Sequence, residues 1–134
     1  MSVQSHIRYT VPADIQTVWR TVTSLTDYAW RSDLAKIERL DDTQFVEHTQ
    51  SGAATLFRVT QTQQPHLWAF DMENDYFSGH WTGRFTALDD NRTELDFAED
   101  ITLKKWLPRW LTKFYLYRQQ QRYRRDLCRK LQNV

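Results

Sequence analysis

The sequence predicts an α+β domain: a curved antiparallel sheet of seven strands, two short helices, and one long C-terminal helix laid across the concave face. Three observations carry that expectation. Val3 to Val11 alternates apolar and polar positions, the period of a half-buried strand. From Asp41 to Leu103, β-branched and aromatic runs are separated by turn-forming residues about every ten positions, the pattern of an antiparallel meander. Beyond Leu103 the alternation stops, and Leu107 to Leu131 reads as an uninterrupted helix. Strands segregated from helices place the helices on one face of the sheet. A sheet this broad curls by its own twist, which leaves a hollow for the long helix.

Taken in order, the first strand ends at Pro12. Ile15, Val18, Trp19 and Val22 then recur at helical spacing, with Asp14 placed where a negative charge suits the helix dipole. Thr26 to Trp30 is expected to form the second short helix, leading through Ser32 and Asp33 into a strand at Lys36–Leu40. The meander follows as Phe45–Gln50, Thr55–Thr62, Leu67–Glu73, His80–Leu88 and Thr93–Leu103, with turns at Asp41-Asp42, Ser51-Gly52, Gln64-Pro65, Ser78-Gly79 and Asp89-Asp90-Asn91. The final helix tolerates Pro108 in its first turn and would span roughly 35 Å at about 1.5 Å per residue. Wound at helical pitch, Leu103, Leu107, Trp110, Phe114, Tyr117, Gln121 and Cys128 share one face, flanked by Leu116, Tyr123, Leu127 and Leu131. Arg118, Arg122, Arg129 and Lys130 take the other side.

Strand parity nominates the residues facing that helix. Trp68, Phe70 and Met72 share one side of their strand; Trp81, Gly83 and Phe85 share one side of the next; Leu95, Phe97, Glu99 and Ile101 do so on the last. With Ile7 and Tyr9 these form an aromatic inner face, opposed by Trp110, Phe114, Tyr117 and Gln121. The bland account of so many rings is core packing. The sharper one is a pocket lining, since flat or apolar ligands are held by such surfaces.

Length and composition exclude several classes. At 134 residues, 40% hydrophobic and 14% aromatic, residues 1–134 form one folded domain. The single cysteine, Cys128, rules out a disulfide framework, and the start MSVQSHIRYT carries no secretory pattern, so a reducing cytoplasmic address is expected. His6, His48, His66 and His80 are too scattered for a metal site, and three glycines cannot make a phosphate loop; no metal or cofactor is expected. The net charge of +1 conceals an asymmetry. From Lys104 onward ten Lys and Arg face one acid, giving +9, whereas the preceding segment has eight against sixteen acids, giving −8. A basic helix seated on an acidic scaffold explains this; so does a helix that meets a membrane surface or polyanion. Nucleic acid is not an expected partner, because the rings lie opposite the arginines instead of interleaving with them.

The order of elements resembles the START/Bet v 1-like superfamily (SRPBCC, with polyketide cyclase/dehydrase-type members), the helix-grip fold. The resemblance covers essentially the whole chain. It rests on Tyr9-Thr10-Val11-Pro12-Ala13-Asp14 followed by Val18-Trp19, on Trp30, on Phe97-Ala98-Glu99-Asp100, and on the final helix with Gln121, Tyr123 and Asp126-Leu127. It implies a hydrophobic cavity between sheet and C-terminal helix, a lipid-, hormone- or polyketide-like ligand, and in a minority of members cyclase, dehydratase or hydrolase activity.

The leading expectation is therefore binding of an apolar, polyketide- or lipid-like small molecule, lined by Tyr9, Trp30, Trp68, Phe70, Trp81, Phe85, Phe97, Trp110, Phe114, Tyr117 and Gln121. An alternative is a polyketide cyclase/dehydratase-type enzyme with Glu99 as acid/base and Tyr117 or Tyr9 stabilising an enolate. A third makes the chain a membrane-surface or partner-binding adaptor acting through its basic helix. At Glu99 itself two placements are open: inward, where an ionised carboxylate needs a partner or a raised pKa, or turned out by a bulge near the strand end. Arg58 and Glu47 are equally open, as an ion pair across their hairpin or as an anion-anchoring arginine.

Overall fold

The computed structural model describes residues 2–132; the ends of the expected domain, residues 1, 133 and 134, lie outside the described residues. The chain runs β1 (Ser2–Val11), α1 (Ile15–Thr23), β2 (Leu34–Arg39), β3 (Gln44–Thr49), β4 (Ala54–Gln63), β5 (Leu67–Glu73), β6 (Phe77–Asp89), β7 (Arg92–Leu103) and α2 (Arg109–Gln132). The strands form a seven-stranded antiparallel sheet in the order β1-β7-β6-β5-β4-β3-β2. The first strand thus closes against the last, and every other neighbour is a hairpin partner. The sheet is open and curved, and α2 lies on its concave side, as a helix-grip fold requires. Register shifts interrupt the β4–β5 pairing between Val59 and Gln61, the β2–β3 pairing between Leu34 and Lys36, and the β6–β7 pairing between Ala87 and Asp89.

Local chemistry explains the helix boundaries. Asp14 caps α1 by accepting from the Thr17 backbone N–H at 3.1 Å and from the Thr17 hydroxyl. Val18, Trp19 and Val22 turn inward, and the Trp19 ring meets Phe85 edge-on at 5.1 Å. Helix α2 begins immediately after Pro108, whose carbonyl accepts from the N–H groups of Leu111 and Thr112.

The second short helix expected at Thr26–Trp30 does not form. The Ser24 hydroxyl accepts from the backbone N–H groups of Thr26 and Asp27, offering this backbone a turn in place of a helical ladder. The Trp30 indole N–H then donates to the Asp27 carbonyl, and Ser32 is held by α2. Residues 24–33 are an irregular strap.

The helix face is the larger correction. Thr112, Leu116, Leu127 and Leu131 are the buried side chains on the sheet side of α2, with Tyr123 packed against the same core. Leu116 meets Val3 and Ile101 at one end of the sheet; Leu127 and Leu131 join the main core with Val18 and Trp19 of α1. Trp110, Phe114 and Tyr117, expected to face inward, are 71%, 54% and 59% exposed. Apolar residues occupy more than one side of this helix, and only those able to reach Val3, Ile101 and Phe97 are buried.

Candidate functional site

Parity along β5, β6 and β7 placed their side chains correctly. Trp68, Phe70, Phe85 and Phe97 are buried on the concave face, with Tyr9 beside them. Their rings form one connected assembly that crosses the sheet. Phe45 stacks on Phe57 at 5.0 Å, and Phe57 meets Phe70 edge-on at 5.0 Å. Phe70 stacks on Trp81 at 4.7 Å, Trp81 tilts against Phe97 at 4.8 Å, and Phe97 contacts Tyr123 of α2 at 6.1 Å. Trp30 reaches down from the strap onto Tyr123 at 5.4 Å. Beneath the C-terminal half of α2, the space expected as a cavity is thus filled by rings of the chain itself.

Half-buried side chains on this face include Trp81, Phe77 and Glu99 on the sheet and Tyr123 and Gln120 on α2, whereas Gln121, expected to line the pocket, shares its side of the helix with exposed Trp110, Phe114 and Tyr117. Glu99 pairs with Ser5 on one side and Trp81 on the other in an unshifted register, so the bulge alternative fails and its side chain shares the face of Phe97 and Ile101. Burial alone raises its carboxyl from 4.5 to about 7. That places the group near half protonation at neutral pH.

Other polar atoms under the helix lack partners. The Tyr9 hydroxyl, the Gln120 amide nitrogen and the Arg31 Nε are buried without a hydrogen bond. Burial pushes the Tyr9 phenol up, reinforced by Tyr123 and Cys128 and opposed by Arg124, whose guanidinium sits 5.0 Å over the Tyr9 ring. On α2 the Tyr115 ring is 57% exposed, little less than Tyr117, and only partly covered by the fold. Its pKa is raised first by burial and then by the charges of Asp33 and Glu99, and its oxygen accepts from the Gln119 amide at 2.8 Å. Tyr117, the expected catalytic partner of Glu99, is on the outer surface.

A half-buried ion cluster closes the β3 side. Arg31 donates to both oxygens of Glu47, at 2.8 and 3.2 Å, and to Asp33 at 3.1 Å, with its guanidinium 5.3 Å from the Tyr123 ring. The expected pairing of Glu47 with Arg58 is therefore incorrect. Glu47 lies opposite Thr55 on the inner face, whereas Arg58 lies opposite Asp71 on the outer one. A cleft of about 410 Å³ on that outer side is lined by Arg58, Asp71, His80 and Asp100 among others. The strap is pinned to α2 as well: Asp126 accepts from the Ser32 N–H at 2.8 Å and hydroxyl at 2.7 Å, and Arg122 donates to the Ser32 carbonyl at 2.9 Å.

Sequence reasoning missed Phe45, Phe57, Gln120 and Arg31, and it singled out Glu47 but with the wrong partner. The alternation Phe45-Glu47-Thr49 carried a usable signal for the first of them. Arg31 lies in irregular backbone, where no periodicity exists to read. The histidines are dispersed: His6 pairs with Asp96, His48 with Glu38 and His80 with Asp71. Among the described residues no group of three or more His, Cys, Asp and Glu is arranged to hold a metal ion. Burial raises the Cys128 thiol pKa, ahead of an opposing effect from Arg124.

Comparison with known proteins agrees with this architecture. A START superfamily protein from Mycobacterium smegmatis superposes with a TM-score of 0.87 at 14% identity, over 97% of this chain and 97% of that one. The Zhui aromatase/cyclase from Streptomyces sp. R1128 gives 0.78 at 15% identity, over 98% and 94%. Norcoclaurine synthase from Thalictrum flavum, solved with dopamine and hydroxybenzaldehyde, gives 0.68 at 10% identity, over 99% and 88%. No curated protein matches the sequence significantly. At such identities the structures speak for the fold, and the family model speaks for the sequence. It spans residues 2–133, and the chain belongs to the family described as polyketide cyclase/dehydrase and lipid transport.

Proposed function

We propose that the protein binds an apolar small molecule carrying one polar group, seated on the concave face between β6–β7 and α2. Trp81 and Phe77 offer the ring surface, Trp30 borders it, and Glu99 anchors the polar group. The carrying observation is the Glu99 carboxyl, lifted by burial alone on an otherwise apolar face. A group so placed lacks a partner that a ligand hydroxyl or amine would supply. Tyr9, Trp68, Phe70, Phe85 and Phe97 lie behind this floor and shape it without being its accessible surface. Family membership supports the reading, since the family description joins lipid transport to polyketide chemistry.

A second reading, acid/base catalysis of the cyclase/dehydratase type, is favoured by the same carboxyl standing at about 7, where a general base works efficiently at neutral pH.

Native mass spectrometry of the protein isolated from its own host tests binding. An adduct of an apolar small molecule is expected, weakened at least about tenfold in Glu99→Gln by loss of a charge-assisted hydrogen bond. An adduct held equally by Glu99→Gln and Trp81→Ala would overturn the site. Retained binding with lost turnover in Glu99→Gln would select the catalytic reading.

A further inference from the structure

Helix α2 carries a second apolar stripe that the sheet leaves uncovered. Trp110, Phe114 and Tyr117 are spaced four and three residues apart and so project from one side of the helix, away from buried Thr112 and Leu116. Trp106, 79% exposed, and Leu107 continue the apolar surface into the segment before the helix. Tyr76, also exposed, lies under the ammonium of Lys105 at 4.9 Å. Contrary to the expectation that the rings lie opposite the cations, Lys104, Lys105, Arg109, Lys113 and Arg118 are interspersed with these exposed side chains, and the segment holds no acid before buried Asp126. Among the described residues, Lys104 alone of these five is in an ion pair, with Glu73.

We propose that this stripe and its cations dock the protein onto an anionic lipid surface, independently of the ligand reading above. Tryptophan and tyrosine rings interleaved with lysine and arginine on an exposed helix are the composition of a helix lying in a membrane interface. No helix among the described residues is long and apolar enough to cross a bilayer, so the contact is superficial. Charge selects the occupant. The chain from Lys104 onward is +9 and the rest −8, so a negative surface draws α2 toward itself and repels the acidic sheet. A second copy of the same face would set like charges against each other, which disfavours self-association.

Co-sedimentation of the full chain with phosphatidylcholine vesicles, with and without phosphatidylserine, tests the proposal. Association is expected only with phosphatidylserine present, with a blue shift in tryptophan emission as Trp106 and Trp110 leave water. It should be released as the Debye length falls from about 30 Å at 0.01 M salt to about 8 Å at 0.15 M. Each of Lys105→Gln and Lys113→Gln should lower partitioning about fivefold at low salt. Trp110→Ser combined with Phe114→Ser should abolish it while leaving the thermal midpoint unchanged. No association at low salt would overturn the proposal and leave an acidic protein groove as the occupant. Undiminished binding by the Trp110/Phe114 double variant would overturn it, as would a dimer that this variant dissociates.

Discussion

Replacing Glu99 with glutamine should make the protein more stable, and increasingly so as pH rises. The carboxyl titrates near 4.5 in an unfolded chain and at about 7 in the folded one. Below pH 4.5 both states are protonated and the residue costs the fold nothing on this account. Between the two values the unfolded state releases its proton while the folded state retains it, so wild-type stability declines. Each pH unit of that gap is worth about 1.4 kcal/mol, and the full penalty above pH 7 is about 3 kcal/mol. Against a total of about 5–15 kcal/mol for a domain, that loss is large. Glutamine keeps the shape and does not ionise. Urea denaturation of both proteins from pH 4 to pH 8, plotted as the difference in unfolding free energy, isolates this group from all others that titrate in common. The difference should slope toward the variant from about pH 4.5 and level off above about pH 7. A flat difference, or a wild type favoured at pH 8, would refute the assignment of Glu99 to a desolvated, unpartnered position. A ligand that donates a hydrogen bond to the carboxylate should flatten the wild-type decline.

Two further expectations follow from close contacts. Gly83→Ala would drive its new methyl group into the Trp81 ring, with Cζ3 at 2.8 Å, and toward Phe97 Cε1 at 3.1 Å. Displacing Trp81 from its stack on Phe70 should cost about 1–3 kcal/mol by thermal or urea unfolding, and an unchanged midpoint would show that the ring has room to move. Asp126→Ala removes the acceptor for the Ser32 N–H and hydroxyl; a loss of about 2–3 kcal/mol is expected, with faster amide exchange at Ser32. Unchanged exchange there would mean that Arg122 alone holds the strap.

Sheet and helix differ in how much of this was legible. Along a strand the period is two, so one secure residue on β7 fixes the side of all the others. Leu95, Phe97, Glu99 and Ile101 were assigned to one face from the sequence, and the unshifted register with β1 and β6 keeps them there. The inward carboxylate at Glu99 is thus a product of alternation, and the sequence left open only whether a bulge intervened. The strap was less legible because side-chain hydrogen bonds from Ser24 compete with a helix that local composition would allow.

Helix α2 shows the limit most clearly. Its length, its position after the last strand and its apolar character are properties of the sequence alone. Its rotation about its own axis is not. Apolar residues lie on both sides of the helix, and helical pitch favours the Trp110-Phe114-Tyr117 stripe as the inner face, whereas the Leu116-Tyr123-Leu127 stripe is the one the sheet covers. That choice depends on which set meets Val3, Phe97 and Ile101 once the sheet has curved, a contact between residues roughly a hundred positions or more apart for β1 and α2. The tertiary structure therefore decided that Tyr117, expected beside Glu99, stands on the outer surface. It also left the tryptophan stripe facing outward, because a helix on a single sheet can bury only one of its sides.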